Sequence, residues 1–149
     1  MRLTAKRLDV PADLPLLRDR ETLAQVLASF GTKFVREVSD PTVIAVFRLA
    51  IAEVAQAPEV ASVLDSTGRE RSRTALRKIM AEAQASRLLK GRPAELDEQF
   101  AGPLWRDLMV SLLLGVAERP NPPEIAERAR DAAAAFLQLH PLPNDGPTA

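Results

Sequence analysis

Leu96, Phe100, Leu104, Leu108 and Leu112 recur at every fourth residue, with Trp105, Met109 and Val116 on an adjoining stripe. That recurrence fits the 3.6-residue turn of an α-helix and conflicts with the two-residue alternation of a strand. From Leu108 to Val116 hardly any polar surface remains. A helix that is apolar nearly all round must be covered on several faces, so this segment demands either a full ring of neighbouring helices or an external partner.

The remaining sequence supplies such neighbours. Leu23, Val26, Leu27, Phe30, Phe34 and Val38 line one face of a helix that begins near Asp19 and is weakened at Gly31. Asp40 followed by Pro41 starts a second helix, because the carboxylate can accept orphan amide protons and proline suits the first helical position. Its stripe of Val43, Ile44, Phe47, Ile51 and Val54, widened by Val46 and Leu49, predicts a helix buried on more than one side and ending near Ala57, before Pro58. Glu59 to Leu89 reads as one long or two consecutive helices with a bend or break at Gly68, followed by a loop at Lys90-Gly91-Arg92-Pro93. Gly102-Pro103 predicts a kink or restart within the next helix. A proline-rich loop from Glu118 to Pro122 leads to a final Ala-rich helix over Pro123 to His140.

No segment alternates like a strand, so the fold class is all-α, a helical bundle. Its helical domain spans 20–140, after an irregular arm over 1–19 containing Pro11 and Pro15 and before a flexible tail over 141–149. Leu14, Leu16 and Leu17 of the arm can pack back onto the bundle.

The chemistry of catalysis is sparse. The chain of 149 residues has no cysteine and one histidine, His140, which excludes disulfides, thiolate metal sites and a cysteine nucleophile. No catalytic residues, no metal site, no cofactor and no enzymatic activity are expected. Gly31-Thr32-Lys33 lacks the order of a phosphate-cradling loop. Glu124, Glu127 and Asp131, close to Arg128 and Arg130, read as a solvated face with local ion pairs, and Arg69, Arg71, Arg73, Arg77 and Lys78 as a solvated basic surface. Twenty basic residues balance twenty acidic ones, which argues against nucleic-acid binding by this chain alone. No apolar run is long enough for a membrane span and no secretory leader is visible, so the cytoplasm is the expected location.

The large side chains Phe47, Met80, Phe100, Trp105 and Met109 sit on helices that a bundle brings together, and such residues line adaptable apolar pockets when they do not simply fill the core. With Ile51 beside them and Arg48 as a group able to orient an anion, they are the candidate ligand-pocket residues.

The segment Phe-Arg-Leu-Ala-Ile-Ala-Glu-Val-Ala-Gln-Ala-Pro-Glu-Val-Ala-Ser-Val-Leu at 47–64 resembles the C-terminal domain of TetR/AcrR-type transcriptional regulators, with Arg48, Ile51, Glu53, Pro58 and Glu59 carrying the pattern. The similarity continues through Glu98-Gln99-Phe100, the apolar run ending at Gly115 and the final Ala-rich helix. It implies a domain that binds a small apolar or aromatic effector and forms a homodimer through its last two long helices. Leu112, Leu113, Val116, Ala129, Ala133 and Phe136 are the expected interface. In that family an N-terminal helix-turn-helix head binds DNA. The head is expected to be missing here, so DNA binding would belong to the parent protein only. The alternative is a free-standing helical protein-interaction module without a small ligand.

Overall fold

Asp19 opens the first helix by accepting both the amide and the hydroxyl of Thr22, each at 2.7 Å. These two hydrogen bonds hold its carboxyl below the usual carboxylate range. In the computed structural model, which describes residues 17–142, helix α1 then runs over Arg20–Val38. Asp40 caps α2 (Pro41–Ala52) through the Thr42 amide at 2.9 Å, with proline at the helix start as its sequence predicts. There follow α3 (Pro58–Leu64), a π-turn (Asp65–Arg69), α4 (Glu70–Ala85), α5 (Pro93–Leu113) and α6 (Pro122–Leu139). Asn121 and Glu124 form a reciprocal capping box at the start of α6. Among the described residues the fold is all-α, with no strand.

The core lies between α1, α4, α5 and α6. Leu23, Leu27 and Val35 of α1, Met80 and Ala83 of α4, Leu104 of α5 and Ala129 of α6 are all fully enclosed. Small residues bring two helices together at Gly31, where a Cβ would stand 3.1 Å from the Ala129 methyl, so α1 and α6 pack almost backbone to backbone. Leu17 is buried in this core as expected of the arm, while residues 1–16 and 143–149, with the rest of the predicted arm and tail, lie outside the described residues.

The structure departs from the periodicity in four places. Helix α2 stops at Ala52, not Ala57: Pro58 keeps Ala57 out of helical geometry (φ −137°, ψ 66°), and the chain turns through 53–56 first. Only Ile44 and Ala50 of α2 are buried, because among the described residues α1, α3 and α5 are its sole neighbours; Leu49, Ile51 and Val54 face outward. Gly68 does not break the helix but sits in the π-turn, so the chain remains helical from Pro58 to Ala85. Pro103 does not restart the helix, and α5 runs unbroken through it: the ring lies on the exposed side, where water can serve the carbonyl deprived of its amide partner.

Candidate functional site

Beside the main core lies a second, smaller apolar cluster between α2 and α5. Ile44, Met109 and Leu112 form its buried centre, and Phe47, Trp105, Leu108 and Leu113 pack around them while partly exposed. Trp105 and Leu108 also touch the main core, and the Trp105 ring meets Phe34 edge-on with centroids 6.1 Å apart. A polarisable thioether ringed by two aromatic side chains can repack around an apolar guest more readily than branched aliphatics can.

Arg48 stands at the rim. It donates from Nε to the Leu113 carbonyl at 3.1 Å and from Nη2 to the Leu112 carbonyl at 2.6 Å, two acceptors at the end of α5. The same helix end is closed by the amides of Gly115 and Val116, which donate to the carbonyls of Leu112 and Ser111, with Gly115 at φ +73°. This is a Schellman closure, which needs a left-handed residue at that position. Arg48, expected as a group able to orient an anion, thus caps the end of α5, a role that its positive charge suits.

Of the predicted pocket residues, Phe47, Trp105 and Met109 come together. Met80 and Phe100 do not join them: both are sealed in the main core, where Phe100 packs edge-on against Phe136 at 5.8 Å. Ile51 is 58% exposed, one turn beyond Arg48. Among the predicted interface residues, Ala129, Ala133 and Phe136 are enclosed within the subunit, where α6 lies along α1, and Leu112 fills the small cluster. Leu113 is half-buried and Val116 exposed, and Val110, Leu114 and Leu139 add apolar surface that the sequence reading did not single out. Ile44 was legible as a member of the α2 stripe, three residues before Phe47, but no pattern distinguished its partner across the helix gap.

Other polar groups serve the fold. Arg119 donates to the Ser39 hydroxyl at 3.2 Å and the Arg36 carbonyl at 2.8 Å, tying the loop before α6 to the end of α1. Arg20 donates to the carbonyls of Leu88 and Leu137 at the opposite pole. The basic surface of α4 is largely neutralised by Asp65–Arg69, Glu70–Arg73 and Asp97–Arg77 pairs at 3.2, 2.6 and 3.1 Å. Glu124, Glu127, Arg128 and Asp131 line an open groove of about 550 Å³ with Pro103 and Pro120, and Arg128 donates to the Leu104 carbonyl at 2.6 Å. His140 contacts Gln99 Oε1 and lies over the Phe136 ring at 4.8 Å; burial, then the nearby Arg20 charge, pushes its pKa down. Among the described residues no cluster of side chains suits a metal ion, and no helix is long and apolar enough to cross a membrane.

The six helices of the described residues, in this order, are the fold of a TetR-family regulator. A family model described as the C-terminal domain of AefR-like transcriptional repressors matches residues 25–140, and the chain belongs to that family. A crystal structure described as a TetR-family transcriptional regulator from Mesorhizobium loti MAFF303099 superposes with a TM-score of 0.72 at 16% identity. The match covers 95% of this chain and 65% of that one, so the chain spans about two thirds of the regulator's length. No curated protein matches the chain.

Proposed function

We propose that this chain is the effector-binding and dimerisation domain of a transcriptional regulator whose DNA-reading head lies outside it. The reading rests on one observation above all: Phe47, Trp105 and Met109 belong to a small apolar cluster beside the main core, joined to it through Trp105 and Leu108, partly open and rimmed by the Arg48 guanidinium. An apolar or aromatic guest seated there would move α2 against the end of α5, which is the kind of small helix shift that regulatory domains convert into a change at an attached head. The exposed Val110, Leu114 and Val116, with Leu113 beside them, offer apolar surface to a second copy. Non-enzymatic action and a cytoplasmic setting belong to the same proposal.

Trp105 is the only tryptophan and the chain has no tyrosine, so its emission reports on this site alone. Titration with a panel of aromatic acids and hydrocarbons should give a saturable change in Trp105 emission and a rise in Tm, with Met109→Ala weakening both while the protein stays folded. Light scattering at tens of micromolar should give the mass of a dimer. A panel without a hit, together with a dimeric or monomeric mass, would favour the second reading, a protein-interaction module; the outward Leu49, Ile51, Val54, Val60 and Val63 speak for it.

A further inference from the structure

Helix α3 has seven residues, well below the roughly 12–15 at which an isolated helix becomes marginal in water. Its N-cap residue is Ala57, which offers no side-chain hydrogen bond. Its other end runs into the π-turn, where the Glu70 amide donates to the Asp65 carbonyl five residues back. Hydroxyl groups bond back to the backbone within and just after that turn: Ser66 donates to the carbonyls of Ser62 and Val63 at 3.1 and 3.3 Å, and Ser72 to the Gly68 carbonyl at 3.0 Å. Such back-bonding competes with the helical ladder and favours bending. Nothing stands within 4 Å of the position a Gly68 Cβ would take. Among the described residues, helix α3 approaches only α2 and the π-turn, and the π-turn only α3 and α4. Leu64 is the one buried residue in 58–69 and belongs to neither apolar cluster, while Val60 and Val63 face outward.

We propose that residues 58–69 form a flap, hinged at the π-turn, that opens as a unit and uncovers Leu64 while the four-helix core stays folded. The flap is the part of the bundle with the fewest buried apolar contacts, an absent cap and an irregular hydrogen-bond ladder, the features that mark sub-global opening. Its opening adds Leu64 to the apolar face already formed by Val60 and Val63. This inference stands whether or not the chain binds an effector.

The absence of native cysteine makes thiol labelling specific. Single-cysteine variants Leu64→Cys and Ala83→Cys, the latter at a fully enclosed core position, would be labelled with a maleimide in native buffer. The Leu64→Cys thiol should react at least about 100-fold faster than the Ala83→Cys thiol. Adding Gly68→Ala should slow the first about fivefold, the equivalent of roughly 1 kcal/mol of helix propensity, and leave the second unchanged. Equal rates at the two positions, or an equal effect of Gly68→Ala on both, would overturn the flap, because exposure would then require global unfolding. Hydrogen exchange on the unmodified chain gives an independent reading should Leu64→Cys fold poorly. Amides of 61–69 exchanging at least tenfold faster than those of 76–83 support the flap, and equal protection refutes it.

Discussion

The Arg48 guanidinium caps Leu113: its Nε lies 3.1 Å from that carbonyl, which belongs to the last turn of α5, sixty-five residues along the chain. Because α2 otherwise meets α5 only through the small cluster around Met109, this capping joins two helices whose mutual burial is slight. Arg48→Ala should lower stability by about 1 kcal/mol, below the range of roughly 1.5–3 kcal/mol for hydrogen bonds from a charged group because the residue is exposed. Arg48→Lys should recover less than half of that, since an ammonium cannot reach both carbonyls in fork geometry. Urea denaturation followed by far-UV circular dichroism measures both, and a loss below about 0.3 kcal/mol for the alanine variant would remove the cap from the account.

Two helices end in the same Schellman closure, and they differ in the residue at the left-handed position. After α5 it is Gly115 at φ +73°, whereas after α4 it is Arg87 at φ +60°, with the amides of Arg87 and Leu88 donating to the carbonyls of Gln84 and Ala83. A side chain there carries a steric cost that glycine avoids. Arg87→Gly should therefore stabilise the protein by about 0.5–1 kcal/mol, and Gly115→Ala should destabilise it by about 1 kcal/mol. Paired thermal melts of the two variants check the opposite signs.

Gly31→Ala tests the closeness of α1 and α6. In an open helix this exchange gains about 1 kcal/mol, but here the new methyl would sit 3.1 Å from the Ala129 Cβ and 3.3 Å from Leu104 Cδ2, both residues fully enclosed. With neighbours unable to retreat, the expected result is a net loss of about 1 kcal/mol. A double-mutant cycle with Ala129→Gly should show favourable coupling, and simple additivity would mean that the helices separate at little cost.

Much of this fold was legible because it rests on strong periodic signals. The starts at Asp19 and Asp40-Pro41, the loop at Lys90-Gly91, the stripes of α1 and α5 and the final Ala-rich helix all follow from side chains that act locally. The small cluster was legible only in part: Phe47, Trp105 and Met109 stood out by size, but size alone also selected Met80 and Phe100, which the core absorbs. Which face of an alanine-rich helix turns inward depends on its partner, and so Ala129, Ala133 and Phe136, expected between subunits, lie instead against α1. Arg48 and Arg119 bind carbonyls, and backbone acceptors leave no trace in a sequence.

Asp97 is 4% exposed on the α5 face that meets α4; Oδ2 accepts from Arg77 Nε at 3.1 Å, while Oδ1 is buried without a partner. Burial raises its pKa above the usual carboxylate value, against the lowering effect of Arg77 and Arg73 and with a small contribution from Glu98. The folded protein thus holds the Asp97 proton more tightly than the unfolded chain does. Its contribution is greatest at acid pH and is lost as pH rises from the unfolded-state value of 3.8 through the raised folded-state value. Asp97→Asn should accordingly be at least as stable as the parent at pH 7, with the difference shrinking as pH falls below 4, while Arg77→Ala at pH 7 should cost about 2 kcal/mol by stranding the carboxylate. Urea titrations across pH 3–8 read the trend, and a parent that gains stability relative to Asp97→Asn as pH rises would reverse the sign.

The π-turn is explained by phase. The buried residues of α4 are Ser72, Ala75, Leu76, Ile79, Met80 and Ala83, and the same 3.6-residue line carried backwards reaches Asp65, yet the buried residue of α3 is Leu64. One extra residue in the π-turn absorbs this offset and keeps Leu64 inward and Asp65 exposed. Deleting Thr67 from the turn should then convert it to continuous α-helix with Leu64 still facing inward, leaving stability within about 1 kcal/mol of the parent. Deleting Glu82, an exposed residue within α4, rotates everything before it by about 100° relative to Ala83 and should unfold the domain by turning Leu76, Ile79 and Met80 out of the core. Thermal melts of the two deletions decide the matter: a Thr67 deletion as damaging as the Glu82 deletion would show that the turn carries no phase correction. The tolerated deletion should also slow maleimide labelling of Leu64→Cys, since the hinge is removed along with the extra residue.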